Sequence, residues 1–247
     1  MKTRLITINF TRKYLVISLL ILSLILISLG FGFVLNLYNF DLLSSTQLYK
    51  QLDEKTIGID PGHGGYDPGF FKGDITESEI VLDISLKLRR LFEQTGSRVV
   101  MTRERDKDLC DEPKVDGKSD KVRDLSNRVK ILEENNVDII LSIHANSIPS
   151  SVWHGSQTFY QIDDEIGREL AYAIQNSLIE NLKNTDRTIL SGDYYILRES
   201  SPTGVVVEVG FLSNPTEGEL LTNEVYQEKV AWAIYLGVLN YIAESNR

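Results

Sequence analysis

The sequence predicts an α/β fold: a single three-layer α/β/α domain with a mostly parallel sheet, preceded by one transmembrane helix. After residue 55, short β-branched runs alternate with longer amphipathic stretches, which is typical of strands alternating with helices. Several of the short runs are apolar almost throughout, as expected of strands that are covered on both faces. A long run without charge near the start of the chain predicts the additional helix.

The N-terminal segment resembles a membrane anchor. Residues 14–35 carry no charge, and at ~1.5 Å per residue a helix of that length spans a bilayer core. Lys2, Arg4, Arg12 and Lys13 precede this run, so the positive-inside rule places the N-terminus in the cytoplasm and the following chain outside. A cleaved signal peptide is the alternative, but its apolar run is usually only ~7–15 residues long and no A-x-A site follows here. We expect a cytoplasmic tail at 1–13, an anchor at 14–36, a tether at 37–55 and a folded domain at 56–247.

Charge and cysteine content exclude two classes of protein. The formal net charge is −9, and four cations precede the uncharged run, so the folded domain is more acidic still. Such a domain repels nucleic acid, whose phosphates need a basic surface. Cys110 is the only cysteine, so no internal disulfide can form. Cohesion must come from packing or from a bound metal.

The elements follow from the spacing of apolar residues. Strands are predicted at 56–60, 98–102, 138–143, 156–160 and 205–209. Helices are predicted around the apolar faces at 81–91 and 122–132, at 164–182, and from 217 towards 240. The charged stretch at 104–121 is predicted to be a surface loop.

Two of the three histidines follow predicted strands. His63 lies in the Gly-rich turn after the first strand, and His144 follows the strand at 138–143. In α/β sheets the carboxyl ends of the strands form the ligand site, so these imidazoles can converge as zinc ligands. The alternative is a pair of unrelated polar turn residues. His154 lies in a later loop and is expected to stay outside the site, because a fourth protein ligand would exclude water.

Glu77 is the candidate third ligand. If Thr76 is the N-cap of the predicted helix with the apolar face at 81–91, Glu79 falls at N3, where it can close a capping box. Glu77 then lies at N1 with its carboxylate free. Two histidines and one glutamate would hold one zinc ion per chain and leave a position for water, as in catalytic zinc sites.

Glu208 is the candidate proton-transfer residue. It lies between Val207 and Val209 at the end of a predicted strand, and an apolar environment raises the pKa of a carboxyl group. A charge pointing to solvent is the alternative. The turn at 210–215, which follows directly, favours a fixed position.

Five segments together resemble the zinc-dependent N-acetylmuramoyl-L-alanine amidases of the family-3 type, over residues 55–243. They are IDPGHGGYDPG at 59–69, TESEIVLDISLKL at 76–88, MTRERD at 101–106, LSNRVKILEENNVDIILSIHANS at 125–147 and VVVEVGFLSNPTEGELL at 205–221. The resemblance implies zinc bound by His63, Glu77 and His144, with Glu208 as general base and then acid. It also implies cleavage of the bond between muramic acid and L-alanine in peptidoglycan. Ser78 departs from the family, which often has Lys there.

The anchored architecture without wall-binding repeats is most similar to the germination-specific amidases, which help to form muramic-δ-lactam in spore cortex. Some relatives depend on an accessory lipoprotein, a possible partner here. Arg198 and Asn146 are candidate substrate contacts, since a guanidinium forks onto carboxylates; a surface salt bridge is the alternative for Arg198. The alternatives are a vegetative wall autolysin, a zinc peptidase acting on stem peptides, and a non-catalytic peptidoglycan-binding protein. The sequence leaves the oligomeric state open.

Overall fold

The computed structural model describes residues 14, 15, 17–19, 21–28, 30, 50–110 and 119–245. The chain divides into two compact units, Met1–Gln47 and Leu48–Arg247. In the first unit, the described residues are helical and their side chains are exposed. A search of the described residues finds no helix with both the length and the apolar character needed to cross a membrane. The predicted tail at 1–13 lies outside the described residues, as do parts of the predicted anchor at 14–36 and tether at 37–55.

The second unit contains a six-stranded sheet and a small two-stranded sheet. The strands are β1 Thr56–Pro61, β2 Phe71–Lys72, β3 Ile75–Thr76, β4 Arg98–Met101, β5 Ile139–Asn146, β6 Gln157–Gln161, β7 Leu190–Gly192 and β8 Thr203–Phe211. The large sheet has the order β4-β1-β5-β8-β6-β7, and β2 pairs with β3. Within the large sheet neighbouring strands are parallel except for β6 and β8, which are antiparallel, and β2 and β3 of the small sheet are antiparallel as well. The predicted, mostly parallel sheet is confirmed.

Helices cover both faces of the large sheet. They are α1 Glu77–Gln94, α2 Asp120–Glu134, α3 Glu165–Leu182, α4 Tyr195–Arg198, α5 Pro215–Leu221 and α6 Glu224–Glu244. The larger core packs α1, α3 and α6 against one face, and a smaller core packs α2 and α4 against the other. This arrangement is the predicted three-layer domain.

Strand β5 shows how the two faces differ. Its odd-numbered residues, such as Leu141 and Ile143, belong to the larger core, whereas Ile140 belongs to the smaller one. Because side chains alternate along a strand, Ser142 and His144 lie on the same face as Ile140. The smaller core therefore gives way to polar side chains towards the carboxyl end of the strand.

The prediction of one helix from 217 towards 240 was wrong. The chain forms α5 and α6 with a break between them, because Asn223 caps α6 by accepting a hydrogen bond from the backbone N–H of Tyr226. The short strand β7 was not predicted. Of the predicted loop at 104–121, residues 111–118 lie outside the described residues and α2 begins at Asp120.

Candidate metal centre

Two buried arginines hold the turn that carries His63. After β1, the backbone of His63 adopts a φ of 59°, which non-glycine residues rarely adopt. Arg103 donates to the carbonyls of Pro61 and Gly62 over 2.9 and 2.7 Å. Arg128 donates to the carbonyls of Pro61 and His63 over 2.7 and 2.6 Å. Because the carbonyls of Pro61 and Gly62 are buried and that of His63 is partly buried, the two guanidinium groups satisfy them and stabilise the turn.

A third buried charge supports the same arginine. Asp60 is 2% exposed and accepts hydrogen bonds from Thr102, Ser142 and Arg128 at 2.7, 2.7 and 2.8 Å. Burial alone would raise the pKa of Asp60, but Arg128 and the two hydroxyl groups lower it to about 2. The base of the turn is thus a fully paired, charged network.

Asp67 orients the ring of His63. The Asp67 carboxylate lies 2.9 Å from Nδ1 of His63, and it also accepts the backbone N–H of Gly69 at 3.1 Å. Since a carboxylate only accepts hydrogen bonds, Asp67 favours a proton on Nδ1, which would leave the lone pair of Nε2 to a metal ion. Nε2 lies 3.1 Å from Oε1 of Glu77. Burial opposes the charged imidazole, but Glu77 and Asp67 raise the pKa of His63.

His144 approaches the same oxygen from β5. Its Nδ1 lies 3.2 Å from Oε1 of Glu77, and its ring centroid is 4.9 Å from that of His63. Gly62 makes this approach possible, because a Cβ there would overlap Cε1 of His144. A side chain at position 62 would displace the ring.

Glu77 is buried, at 5% exposure, as the first residue of α1. Its Oε1 also accepts the backbone N–H of Ala145 at 3.1 Å, and its Oε2 accepts that of Phe70 at 3.0 Å. Burial opposes ionisation, but the hydrogen bonds and charges of His144 and His63 hold the pKa of Glu77 well below its ordinary range. The carboxylate is therefore ionised and fixed.

The capping box predicted at the start of α1 is not formed. Helix α1 does begin after Thr76, but the Thr76 side chain accepts no capping hydrogen bond. Its hydroxyl group donates to Glu79 at 2.7 Å instead. Glu79 is therefore engaged outside the site, and Glu77 lies against the two histidines.

His63, Glu77 and His144 fit a metal ion. Each offers one ligand atom, and these atoms lie within 4.8 Å of one another; no other group of this kind occurs among the described residues. Zinc bonds of ~2.0–2.1 Å in a tetrahedron separate ligand atoms by roughly 3.3–3.4 Å. The two nitrogen–oxygen distances of 3.1 and 3.2 Å match that spacing. A donor set of two imidazoles and one carboxylate is the set found in catalytic zinc sites.

Glu208 lies beside this group on β8. It is in direct register with His144 on one side and with Gln157 on the other. Its Oε2 is buried and has no hydrogen-bond partner among the described residues. Burial raises the pKa of Glu208 to about 7, with a further contribution from the charge of Glu77. The site thus holds two carboxylates in opposite environments.

The remaining predicted residues do not belong to the metal-ligating group. Asn146 ends β5, where the pairing with β8 shifts register after His144. Arg198 ends α4, where its guanidinium forms ion pairs with Asp193 and Glu199. His154 is exposed and does not belong to the metal-ligating group.

Sequence reasoning missed the residues that support the ligands, namely Asp67, Arg103 and Arg128. For Asp67 a signal existed, because a carboxylate four residues after a candidate ligand in a Gly-rich turn can fold back onto it. Arg128 lies on α2, where a charged residue normally indicates a solvated face. Its burial depends on how α2 packs over the turn after β1, which no local pattern reveals.

Comparison with known proteins gives a consistent result. Residues 57–240 match the family described as N-acetylmuramoyl-L-alanine amidase. The chain is 38% identical over 222 residues to a germination-specific N-acetylmuramoyl-L-alanine amidase of Bacillus subtilis, covering 87% of this chain and 93% of the relative.

Solved structures are similar as well. The CwlD amidase from Clostridioides difficile, solved in complex with the GerS lipoprotein, is 39% identical with a TM-score of 0.73, covering 77% of this chain and 100% of that chain. The catalytic domain of CwlV, an N-acetylmuramoyl-L-alanine amidase from Paenibacillus polymyxa, is 32% identical with a TM-score of 0.66, covering 76% of this chain and 97% of that one.

Proposed function

The chain belongs to the N-acetylmuramoyl-L-alanine amidase family and acts on peptidoglycan, and we propose that it does so with zinc held by His63, Glu77 and His144. The bond hydrolysed is the amide between N-acetylmuramic acid and L-alanine. One observation carries the zinc proposal: a single oxygen of Glu77 lies within 3.2 Å of a nitrogen of each histidine.

When bound, zinc would supply a Lewis acid for the amide carbonyl oxygen and would lower the pKa of a water molecule towards ~7. His63 would present Nε2 to the ion, because Asp67 favours the proton on Nδ1. Glu77 supplies a fixed negative charge. A cleft of about 100 Å³, which is lined by His63, His144, Tyr66 and Lys121 among others, gives access to this group.

Glu208 is the proton-transfer residue in this proposal. Its carboxylate takes a proton from the attacking water and gives one to the amine nitrogen of L-alanine as the C–N bond breaks. A group with these two tasks works best with a pKa near the operating pH, and burial raises the pKa of Glu208 to about 7. Asn146 and Arg198 remain predicted substrate contacts.

The proposal extends to a role in spore cortex maturation, in which muramic-δ-lactam formation prepares the cortex for later germination. The name of the Bacillus subtilis relative, a germination-specific amidase, supports this role. An accessory lipoprotein is a possible partner, which the complex of the Clostridioides difficile relative with the GerS lipoprotein supports. Spores of a strain expressing the Glu208→Gln protein should lack muramic-δ-lactam, and normal lactam content would contradict the cortex role.

We also propose a location. Residues 14–36 anchor the chain in a membrane with the N-terminus in the cytoplasm and the enzyme outside, which the uncharged run and its preceding cations support. Protease added to intact protoplasts should degrade the enzyme. Protection in intact protoplasts, with degradation only after lysis, would contradict this orientation.

Product analysis tests the activity. The purified full chain, incubated with peptidoglycan, should release peptides with a new L-alanine N-terminus and leave muramic acid unsubstituted. A peptidase would leave the first alanine on the sugar, and a binding protein would release nothing. A chelator should stop the reaction and added zinc should restore it; activity that persists after complete metal removal would contradict the zinc proposal.

A further inference from the structure

Arg187 lies in the loop between α3 and β7, half-buried, and its polar contacts leave most of its donors unused. Its Nε donates to the carbonyl of His154 at 2.9 Å and its Nη1 donates to the side chain of Gln157 at 3.4 Å. A guanidinium has five N–H donors, so three have no acceptor among the described residues. Within the residues that the structure describes, Arg187 also forms no ion pair with a carboxylate.

Aromatic rings hold the guanidinium at the wall of a cleft. Its central carbon lies over the rings of Trp153 and Phe211, 5.3 and 5.0 Å from their centroids. The cleft has a volume of about 380 Å³, and Val152 and Asp186 also line it. Such stacking holds an arginine in place and leaves its outer N–H groups free to bind a ligand.

The loop that carries Trp153 is itself fixed to the end of β8. The buried carboxylate of Glu217 accepts the backbone N–H of Gly155 at 3.0 Å and that of Phe211 at 2.8 Å. Arg187 therefore lies between two anchored segments. The wall of this cleft is built in advance of any ligand.

Arg187 is connected to a row of side chains that begins at the metal centre. His144, Glu208 and Gln157 are in register on three neighbouring strands, and Arg187 reaches the side chain of Gln157. With strands ~4.8 Å apart, Gln157 lies roughly 10 Å from His144. An extended peptide covers ~3.3–3.6 Å per residue, so this distance corresponds to two or three residues beyond the cleaved bond.

We infer that Arg187 binds a carboxylate of the stem peptide, on the second or third residue after the muramic acid. The inference rests on the proposed function and deepens it, because it names what the site recognises beyond the first alanine. A guanidinium forks onto a carboxylate, and this one lies beyond Glu208 in the row that starts at His144, without a carboxylate partner of its own among the described residues. A γ-linked D-glutamate at the second position carries a free α-carboxylate of this kind.

Matched substrates test the inference. The zinc-loaded full chain is given muramoyl peptides whose second residue is D-isoglutamate or its amide, D-isoglutamine. A charge-assisted hydrogen-bonded pair corresponds to a preference of roughly 10- to 100-fold for the free acid in kcat/KM, mostly through KM. Equal values for acid and amide would overturn a second-position contact.

A second substrate pair distinguishes the two carboxylates. Here the third-residue carboxylate is free or amidated while the second residue is kept constant. A preference that follows the third residue assigns Arg187 to that carboxylate. No preference in either pair overturns the inference, whereas failure to cleave any muramoyl peptide or peptidoglycan overturns the proposed function instead.

Variants assign the preference to the residue. Arg187→Gln should bring the acid-to-amide ratio close to one, and Arg187→Lys should leave an intermediate ratio because lysine keeps the charge without the fork. Arg168→Gln removes an exposed arginine from α3 and should retain the wild-type ratio. A wild-type ratio in folded Arg187→Gln protein would overturn the assignment.

A binding measurement covers the case in which Arg187→Gln does not fold. Free peptides with the acid or the amide at the preferred position are tested as inhibitors of peptidoglycan hydrolysis by wild-type and Arg187→Lys protein. The acid should inhibit the wild type roughly tenfold more strongly, and the variant should lose most of that difference. Unchanged discrimination in the variant would contradict the inference.

Discussion

The start of α1 and the end of β8 each bring one glutamate to the same edge of the sheet, in opposite environments. Glu77 accepts two backbone N–H groups and lies against two imidazole nitrogens, which hold its pKa well below the ordinary range. Glu208 has a buried oxygen with no partner among the described residues, and burial raises its pKa to about 7. Two carboxyl groups with pKa values displaced in opposite directions have separate tasks: one is a permanent anion and the other exchanges protons.

The largest effect is expected from replacing either of the two histidines that contact Glu77. His63→Ala or His144→Ala should abolish both zinc binding and turnover, because two of three protein ligands do not hold a catalytic zinc ion. His154→Ala, an exposed control, should keep both. Metal analysis and peptidoglycan release measure the two properties, and one zinc per chain in either ligand variant would contradict the assignment.

Replacing the proton-transfer residue Glu208 should lower turnover but leave zinc binding unchanged. Glu208→Gln should lower turnover by roughly 10²- to 10⁴-fold, the usual contribution of a general acid–base group. Glu180→Gln, at an exposed position on α3, should leave turnover at the wild-type value. Single-turnover rates on labelled peptidoglycan provide the measurement; a loss of less than threefold in Glu208→Gln would remove Glu208 from the mechanism.

A smaller effect is expected from the residue that orients His63. Asp67→Asn should weaken zinc affinity by roughly 10- to 100-fold, because the asparagine amide no longer fixes the proton on Nδ1. Competition with a chelator measures the zinc affinity. Asp74→Asn in the exposed turn between β2 and β3 is the control, and equal affinities in the two variants would contradict the role of Asp67.

The smallest effect is expected from the charged network of Asp60 beneath the turn after β1, and it concerns the free energy of unfolding. Because folding lowers the pKa of Asp60 from 3.8 to about 2, its ionisation stabilises the protein above pH ~4, and this stabilisation is lost as the pH falls towards 2. The difference in unfolding free energy between the wild type and Asp60→Asn should therefore shrink by ~2 kcal/mol between pH 5 and pH 2.

Urea unfolding at a series of pH values measures this difference. Asp83→Asn, an exposed substitution on α1, serves as the control for general acid effects. A gap between the wild type and Asp60→Asn that stays constant from pH 5 to pH 2 would show that the network does not hold Asp60 in its charged form.

The sequence predicted the parts of this molecule that depend on local pattern. Five strands and the helices α1, α2 and α3 follow from apolar spacing, and His63, Glu77 and His144 converge because strand ends and a helix start meet at one edge of the sheet. What could not be predicted depends on contacts between distant segments. Arg128 is separated from His63 by 65 residues, and Arg187 reaches Gln157 across 30.

The antiparallel direction of β6 belongs to the same class, because strand direction is set by how the chain crosses the sheet. The break between α5 and α6 is different. Asn223 is a strong N-cap residue, and its side chain accepts from Tyr226 three residues later, so local capping chemistry does account for this break.

Parallel zinc analysis of Glu77→Gln and Glu208→Gln tests the division between the two glutamates most directly. The same isosteric change is made at both positions, and the purified proteins are assayed for zinc per chain alongside the wild type. We predict close to one zinc in the Glu208→Gln protein and far less in the Glu77→Gln protein, with turnover lost in both. Equal zinc content in the two variants, whether high or low, would contradict the assignment of separate tasks.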